Sequence, residues 1–372
     1  MPTSEPDLAR LRRAIALAAK GRFRVEPNPV VGCVIDAGGK TVGEAWHDGY
    51  GGPHAEARAL ALAGPAARGA TAYVSLEPCG RTGKKTPPCV DALLAAGVAR
   101  VVYASADATP GEQGRGAERL RAAGVVVEGP VLPDEGAPLL ARYERARGRD
   151  RPWVVLKWAM SLDGRIAPAA GKGGVLSGER ALVEAHEARG RSDAVAVGVG
   201  TVLADDPLLT CRLAGGPPDG RPQPLRVVFD STLRTPPGSR LVLDARNGRV
   251  LLACARAEEG RRRALEAAGA EVLEAPGPDG RVDLVAALRA LRARGVARLL
   301  VEGGSRVHGA LLALGLADQV TAVVSPIVLG GESVVPPAVG TGVARVEDAT
   351  RLEDATWRKV GEDLVLQGYV AG

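Results

Sequence analysis

His54, Glu56, Cys79 and Cys89 are the residues of this 372-residue chain whose types and spacing can do chemistry together. His54-Ala55-Glu56 is followed by Pro78-Cys79 and then by Pro87-Pro88-Cys89. One imidazole and two thiolates can hold a zinc ion and leave its fourth position for water. That open form separates a catalytic zinc from a closed structural one. Zinc brings the pKa of such a water down toward about 7, and Glu56 can take its proton and hand it to a departing amine. The expected chemistry is attack on an amidine-like ring carbon with loss of ammonia, a hydrolytic deamination.

His54 stands at the start of a predicted helix, and Pro87-Pro88 puts Cys89 at the start of another. Helix N-termini favour the negative charge that such a site gathers. Two structural alternatives stay open: a closed zinc with His47 as fourth ligand, and a buried Cys pair without metal. Nine residues separate Cys79 from Cys89, longer than the short Pro-Cys-x-x-Cys spacing. Cys33 lies in an apolar strand and reads as core, and Cys211 and Cys254 have no ligand-type neighbours.

These residues need elements to position them. Leu8, Leu11, Ile15 and Ala18 after Asp7 predict an amphipathic, capped helix. Val30–Asp36 and Thr41–Trp46 predict a hairpin turning at Gly38-Gly39. Helices are expected over His54–Ala63, Cys89–Ala96 and Gly116–Ala123, with strands over Ala70–Leu76, Ala99–Ser105 and Val125–Glu128. This alternation predicts a layered α/β domain whose far half is parallel. Pro130, Pro133, Gly136 and Pro138 are expected to break the pattern, and Arg142–Arg151 to lead into a second domain at Pro152, with the boundary near 148. There, strands are expected at Trp153–Met160, Asp193–Gly198, Leu225–Asp230, Arg249–Cys254, Glu271–Glu274, Ala297–Val301, Val320–Val324 and Asp363–Tyr369. Helices are expected at Glu179–Arg189, Glu258–Ala268, Val282–Arg294 and Ser305–Leu314, giving a second α/β sheet.

The length suits two domains, and 46% apolar content is globular. No leader is visible at the N-terminus, and the apolar run Gly309–Ala317 is far short of the ~20 residues a membrane span needs. A reducing, cytoplasmic compartment is expected, where clustered Cys and His mean metal more often than disulfide. The formal charge of +5 is carried mostly by scattered Arg, since only seven of the 48 basic residues are Lys. With 3% aromatics there is little for base stacking. The composition argues against nucleic acid and suits a small anionic substrate.

Longer motifs add to this reading. Glu26–Ile35, Gly51–Glu56, Leu76–Cys79 and Thr86–Cys89 in the first half closely resemble the bifunctional deaminase/reductase family of riboflavin biosynthesis. Val155–Gly164, Gly200–Pro207 and Val301–Gly304 extend that resemblance over essentially the whole chain. It implies a cytidine-deaminase-like three-layer domain over 1–148 and a dihydrofolate-reductase-like α/β domain over 149–372. It also implies zinc ligands at His54, Cys79 and Cys89, a proton shuttle at Glu56, and pyrimidine-pocket positions at Asn28 and His47. The loop Gly80–Lys85 departs from the family's shorter, histidine-containing run. Lys85 keeps the place of a basic substrate contact, with Arg81 and Lys84 as substitutes.

By residue pattern alone the second half is less explicit. Gly198-Val-Gly200 is an incomplete dinucleotide loop, with Leu203 at the third glycine's place. The strand leading into Gly303-Gly304-Ser305 fits either a phosphate-binding helix start or an ordinary strand–helix turn. The resemblance implies NADPH, with contacts at Ala159, Val175, Thr201, Asp205, Ser231, Gly304, Ser305, Arg306, Val307 and His308. It implies substrate contacts at Gly173, Arg189, Leu209, Arg212 and Glu302; Val175 stands where relatives often carry an aromatic. Guanidinium groups at 189 and 212 can fork onto phosphate. The implied reactions are deamination of 2,5-diamino-6-(5-phosphoribosylamino)pyrimidin-4(3H)-one, then reduction of its ribosyl group to ribityl. Asp205, Lys157 and Glu302 are the candidate proton donors of the second step. Association into a homodimer or larger is implied by the resemblance.

Overall fold

The computed structural model describes residues 4–80, 87–169, 171–332, 335–340 and 342–371. The chain divides into two units, Met1–Gly148 and Arg149–Gly372. The first contains α1 (Glu5–Ala18), β1 (Gly32–Ala37), β2 (Lys40–Trp46), α2 (Ala55–Ala63), β3 (Thr71–Leu76), α3 (Cys89–Ala96), β4 (Arg100–Ser105), α4 (Arg115–Ala122), β5 (Val126–Glu128) and α5 (Pro133–Ala146). Its sheet runs β2-β1-β3-β4-β5. β1 pairs antiparallel with β2 and β3, whereas β3, β4 and β5 are parallel.

Side-chain alternation along these strands builds three layers, because successive residues of a strand face opposite ways. Cys33, Ile35, Val74 and Val101 face α2, α3 and α4 through Ala59, Val90, Leu93 and Leu120. Val34, Tyr73, Val102 and Ala104 face Leu11, Ala14 and Leu17 of α1. The fold is therefore the three-layer α/β arrangement expected of this half.

Two expectations need correction. The cap of α1 is Ser4, and Asp7 is its N3 partner in a reciprocal capping box. The Pro-rich stretch after residue 130 forms α5. Pro133 opens that helix, where no backbone donor is required. Pro138 is tolerated because packing decides the outcome: Gly136 presses on Ser105 and Leu140 is buried.

The second unit contains β6 (Trp153–Ser161), α6 (Glu179–Gly190), β7 (Ala194–Gly198), α7 (Val199–Asp205), β8 (Leu225–Phe229), α8 (Arg240–Leu243), β9 (Val250–Cys254), α9 (Glu259–Ala267), β10 (Glu271–Glu274), α10 (Leu284–Ala293), β11 (Arg298–Gly303), α11 (Ser305–Ala313), β12 (Gln319–Ser325), β13 (Leu352–Val360) and β14 (Asp363–Val370). Its sheet order is β10-β9-β8-β7-β11-β6-β12-β14-β13. Strands β10 through β12 in that order are parallel, and β14 and β13 are antiparallel additions. From β6 the chain steps outward to β10, then returns to insert β11 between β6 and β7. Such a reversal opens a crevice at the carboxyl ends of the strands, where α/β sheets bind ligands. The residue pattern gave no sign of α7, α8 or β13. β13 is exposed along nearly all its length, so it has no apolar alternation to read.

Asp7 ties α1 to the first sheet. Its carboxylate receives Tyr73 Oη at 2.6 Å, Arg100 Nη1 and Nη2 at 2.8 and 3.1 Å, and the Ser4 amide at 2.8 Å. The Arg100 bonds hold the Asp7 carboxyl well below the usual carboxylate range, outweighing the opposing effect of burial. Burial and the bond to Asp7 push Tyr73 up to about 12. With its folded pKa depressed, Asp7 contributes stability that is complete above the unfolded aspartate value of about 4. That contribution is lost as pH falls from there toward the depressed value. Asp7→Asn should cost on the order of 3 kcal/mol at neutral pH and flatten the acid limb of stability below about pH 4, measured by urea unfolding from neutral pH down into that acid range.

Candidate active sites

His54 is the N-cap of α2 in an extended conformation, and Glu56 lies in that helix's first turn. Cys89 is the first residue of α3, set by Pro88 at the cap. Cys79 follows β3. His54 Nδ1 lies 3.1 Å from Cys89 Sγ and 3.7 Å from Cys79 Sγ. All three donor atoms fall within 4.8 Å of one another. Zinc bonds of about 2.0–2.3 Å in a tetrahedron place donors roughly 3.5–3.8 Å apart, so one ion fits among them.

The protonation of the sulfurs fits the same ion. A hydrogen bond with Cys89 lowers the Cys79 thiol to about 4, assisted by His54. That bond, burial and Glu56 push Cys89 up. Their mutual contact pushes the two sulfurs in opposite directions, and a divalent cation in their midst would take both as thiolates. The Cys89 amide also donates to Cys79 Sγ at 3.4 Å. Glu56 is buried, and that burial raises its carboxyl against the opposing pull of His54.

Among the described residues, no fourth Cys, His, Asp or Glu joins this group. His47 is buried with its ring centroid 5.2 Å from that of His54, a neighbour of the ligand rather than a member of the donor set. Asn28 is half-buried in the loop after α1, and its amide donates to Val25. Arg81, Lys84 and Lys85 lie outside the described residues. Cys33, Cys211 and Cys254 are buried free cysteines and are not part of the donor group.

In the second unit the carboxyl ends of β6, β7 and β11 gather charge. Arg189 of α6 grips Glu302 through Nε at 2.9 and 3.0 Å and Nη2 at 2.6 Å. Burial pushes Glu302 up, but Arg189 and Lys157 outweigh it and keep the group below its ordinary value. Desolvation lowers the Lys157 ammonium although Glu302 opposes it. The Arg212 amide donates to His186 Nδ1 at 3.2 Å, and its guanidinium is lowered by desolvation and by facing Arg189. Leu209, with φ of 57°, is buried in the loop that leads there.

Gly173 and Asp205 meet directly, since a Cβ at 173 would lie 1.4 Å from Asp205 Oδ1. Burial raises the Asp205 carboxyl. Thr201 of α7 packs on Gly303, where a Cβ would come 2.8 Å from its Oγ1. α7 and α11 begin side by side at adjacent strands, offering first-turn amides near Gly200, Gly304, Ser305 and Arg306. A Cβ at Gly200 would meet nothing within 4 Å, so the start of α7 is open at that position. Ala159 lies on β6, and Ser231 just past β8 accepts the amides of Ala255 and Arg256. Val175 is exposed, and Val307 packs against Gly198. The His308 ring is buried between the carbonyls of Pro337 and Val301, so its side chain serves packing.

Sequence reasoning missed Arg226 and His186. Arg226 is fully buried in β8, yet it bonds Leu208 O at 3.3 Å, Asp244 Oδ2 at 2.8 Å and Gly248 O at 2.5 Å. It braces the loop that carries Leu209 and Arg212. The available signal was a lone Arg inside the apolar run Leu225–Phe229, because a buried charge demands partners.

Comparison with known proteins gives a match to each unit. The family model described as cytidine and deoxycytidylate deaminase zinc-binding region matches residues 4–105. The RibD C-terminal domain model matches 152–366. The riboflavin biosynthesis protein RibD of Actinobacillus pleuropneumoniae is 38% identical over 98% of this chain and 95% of its own. That of Escherichia coli strain K12 is also 38% identical, over 96% and 97%. Among solved structures, Acinetobacter baumannii RibD form 1 matches with a TM-score of 0.73 at 32% identity over 99% of each chain. A Thermotoga maritima diaminohydroxyphosphoribosylaminopyrimidine deaminase/5-amino-6-(5-phosphoribosylamino)uracil reductase matches with a TM-score of 0.68 at 31% identity, over 98% of this chain and 99% of its own.

The chain belongs to the RibD family. It is a bifunctional enzyme of riboflavin biosynthesis, a zinc-dependent deaminase and an NADPH-dependent reductase acting on small molecules. A nucleic-acid base deaminase with an appended recognition domain is not favoured, since the second half matches the RibD C-terminal domain. No helix among the described residues is long and apolar enough to cross a membrane. Arg226→Met should lower the stability of the second unit by on the order of 2 kcal/mol and raise the reductase KM more than it lowers kcat. Urea unfolding and steady-state NADPH oxidation check the two effects.

Proposed function

We propose that Met1–Gly148 deaminates 2,5-diamino-6-(5-phosphoribosylamino)pyrimidin-4(3H)-one and that Arg149–Gly372 reduces the ribosyl group of the resulting uracil to ribityl. The observation that carries the first assignment is one imidazole and two sulfurs converging beside a buried carboxylate. His54, Cys79 and Cys89 would hold zinc, which when bound supplies a Lewis acid that lets water react near neutral pH. Glu56 takes a proton from the attacking water and delivers it to the departing amino group. Its burial favours that exchange, since a raised carboxyl is a stronger base toward the water proton. Asn28 and His47 flank the pyrimidine, and Lys85 meets the substrate phosphate.

In the second unit NADPH, when bound, would supply hydride. Ala159, Thr201, Asp205, Ser231 and the turn Gly304–Val307 position it, with Val175 at the rim and His308 supporting the turn from beneath. The carbon to be reduced would be C1′ of the opened sugar, presented as an imine, and this chain would have to supply one proton to its nitrogen. Lys157 is the donor we favour among the three candidates. Glu302 is kept ionised by Arg189 and holds no proton to give. Arg189, Arg212, Leu209 and Gly173 position the phosphoribosyl chain. The scattered Arg and sparse aromatics support a small-molecule enzyme of the cytoplasm without a nucleic-acid partner, and family membership supports a homo-oligomer.

Glu56→Gln should reduce ammonia release by about 10²–10⁴-fold while NADPH oxidation on the deaminated substrate stays at the parent rate. Equal loss of both activities would contradict the division between units. For the reductase, a donor must be protonated, and desolvation lowers Lys157. Reductase kcat should therefore be flat at lower pH and fall as pH rises through that lowered value. Lys157→Met should remove this limb along with most of the rate, read from a pH profile of NADPH oxidation.

A further inference from the structure

We infer that the start of α4 braces the metal centre: Glu112, Gly116 and Arg119, together with Glu77, hold Cys79 and Cys89 at ligating separation. The inference rests on reading His54, Cys79 and Cys89 as zinc ligands. Cys79 belongs to no helix or strand, so something outside its own segment must fix it. Its flanks are held on both sides. Before it, the Glu77 amide donates to Ser105 O at 2.9 Å. The Glu77 carboxylate accepts the amides of Gly114 and Ala117 at 3.1 and 3.2 Å. After it, the Gly80 amide donates to Glu112 Oε2 at 3.3 Å and Gly80 O accepts Arg119 Nη1 at 2.7 Å.

The approach of α4 to this segment is closer than any side chain permits. A Cβ at Gly116 would lie 1.8 Å from Pro78 O, the residue just before the ligand. Only glycine allows the helix start to bear on that backbone. Arg119 then joins the two sulfur-bearing segments. While Nη1 holds Gly80, Nη2 reaches Asp91 Oδ1 at 2.6 Å, in the first turn of the helix that Cys89 begins. A planar guanidinium fixes both partners in one geometry, which a flexible ammonium does not. The Arg119–Asp91 pair is substantially exposed and adds little to folding. Its effect is on the spacing of Cys79 and Cys89, and supports of this kind influence metal retention by about 10–100-fold.

The test uses the full chain with Gly116→Ala, Arg119→Met and Arg119→Lys, and Arg115→Met as an exposed control on the same helix. Zinc content per chain, the rate of zinc transfer to a chromophoric chelator and the absorption spectrum of the cobalt(II)-substituted protein are measured. Thermal unfolding and the circular dichroism spectrum report whether each variant is folded. Gly116→Ala and Arg119→Met should release zinc about 10–100-fold faster and shift the sulfur-to-cobalt bands, with Arg119→Lys intermediate and Arg115→Met like the parent. Arg119→Met, as a surface change, should melt with the parent, so the result stands even if Gly116→Ala folds poorly. Folded variants that release zinc within about twofold of the parent overturn the brace. A parent chain that binds no zinc overturns the ligand reading itself, and the brace with it.

Discussion

Two sulfurs, an imidazole and a carboxylate occupy one largely buried pocket, and the first unit is organised around making that tolerable. Buried anions are costly unless something positive faces them. Here α2 begins at His54 and α3 begins at Cys89, so two helix N-termini point their partial positive charge at the same place. The amide of Cys89 adds a donor to Cys79 Sγ. What remains is a set of nitrogen and sulfur donors that suits a divalent cation. The sheet order follows from the same need: β3, which ends beside Cys79, sits at the centre with helices bearing the other ligands on one face.

The second unit meets a similar problem with opposite sign. In the function proposed above its crevice takes a phosphorylated substrate and cofactor, and Lys157, Arg189, Arg212 and the start of α11 supply positive charge there. Unbalanced, they would repel one another, as the lowering of Arg212 by Arg189 indicates. Glu302 offsets them from within and is held by a fork of bonds from Arg189. This leaves Lys157 desolvated next to a fixed anion, a setting in which an ammonium can give up a proton and regain it. Arg226 performs a related task one layer down. It spends a buried charge on carbonyls and Asp244 to hold the loop beneath Arg212.

Where local signals bound an element, the sequence was legible almost to the residue. α3 begins after Pro87-Pro88 and stops at Gly97 in a left-handed conformation, as its composition demands. The hairpin β1–β2 follows from Gly38-Gly39 between alternating apolar residues. Legibility failed where tertiary contacts overrode local preference. α5 carries Pro138 and a charged end, and only its packing on Ser105 and the burial of Leu140 reveal it. β13 pairs with β14 through its backbone and buries almost nothing, so its side chains record no period.

The site shows the same divide between chemistry and support. His54, Cys79 and Cys89 stand out because few residue types bind zinc, and their identity alone suggests their meeting. The groups that hold them have no such mark. Glu77, Glu112 and Arg119 are ordinary surface residue types, and Gly116 is one of 49 glycines. Their roles depend on α4 crossing beneath the loop of Cys79, a contact between segments some 30–40 residues apart. Nothing in the spacing of these residues along the chain encodes that crossing. Reactive groups are legible because chemistry restricts their type, whereas supporting groups are restricted only by position. Position is a property of the folded chain, so the supports of a site become visible only with the fold.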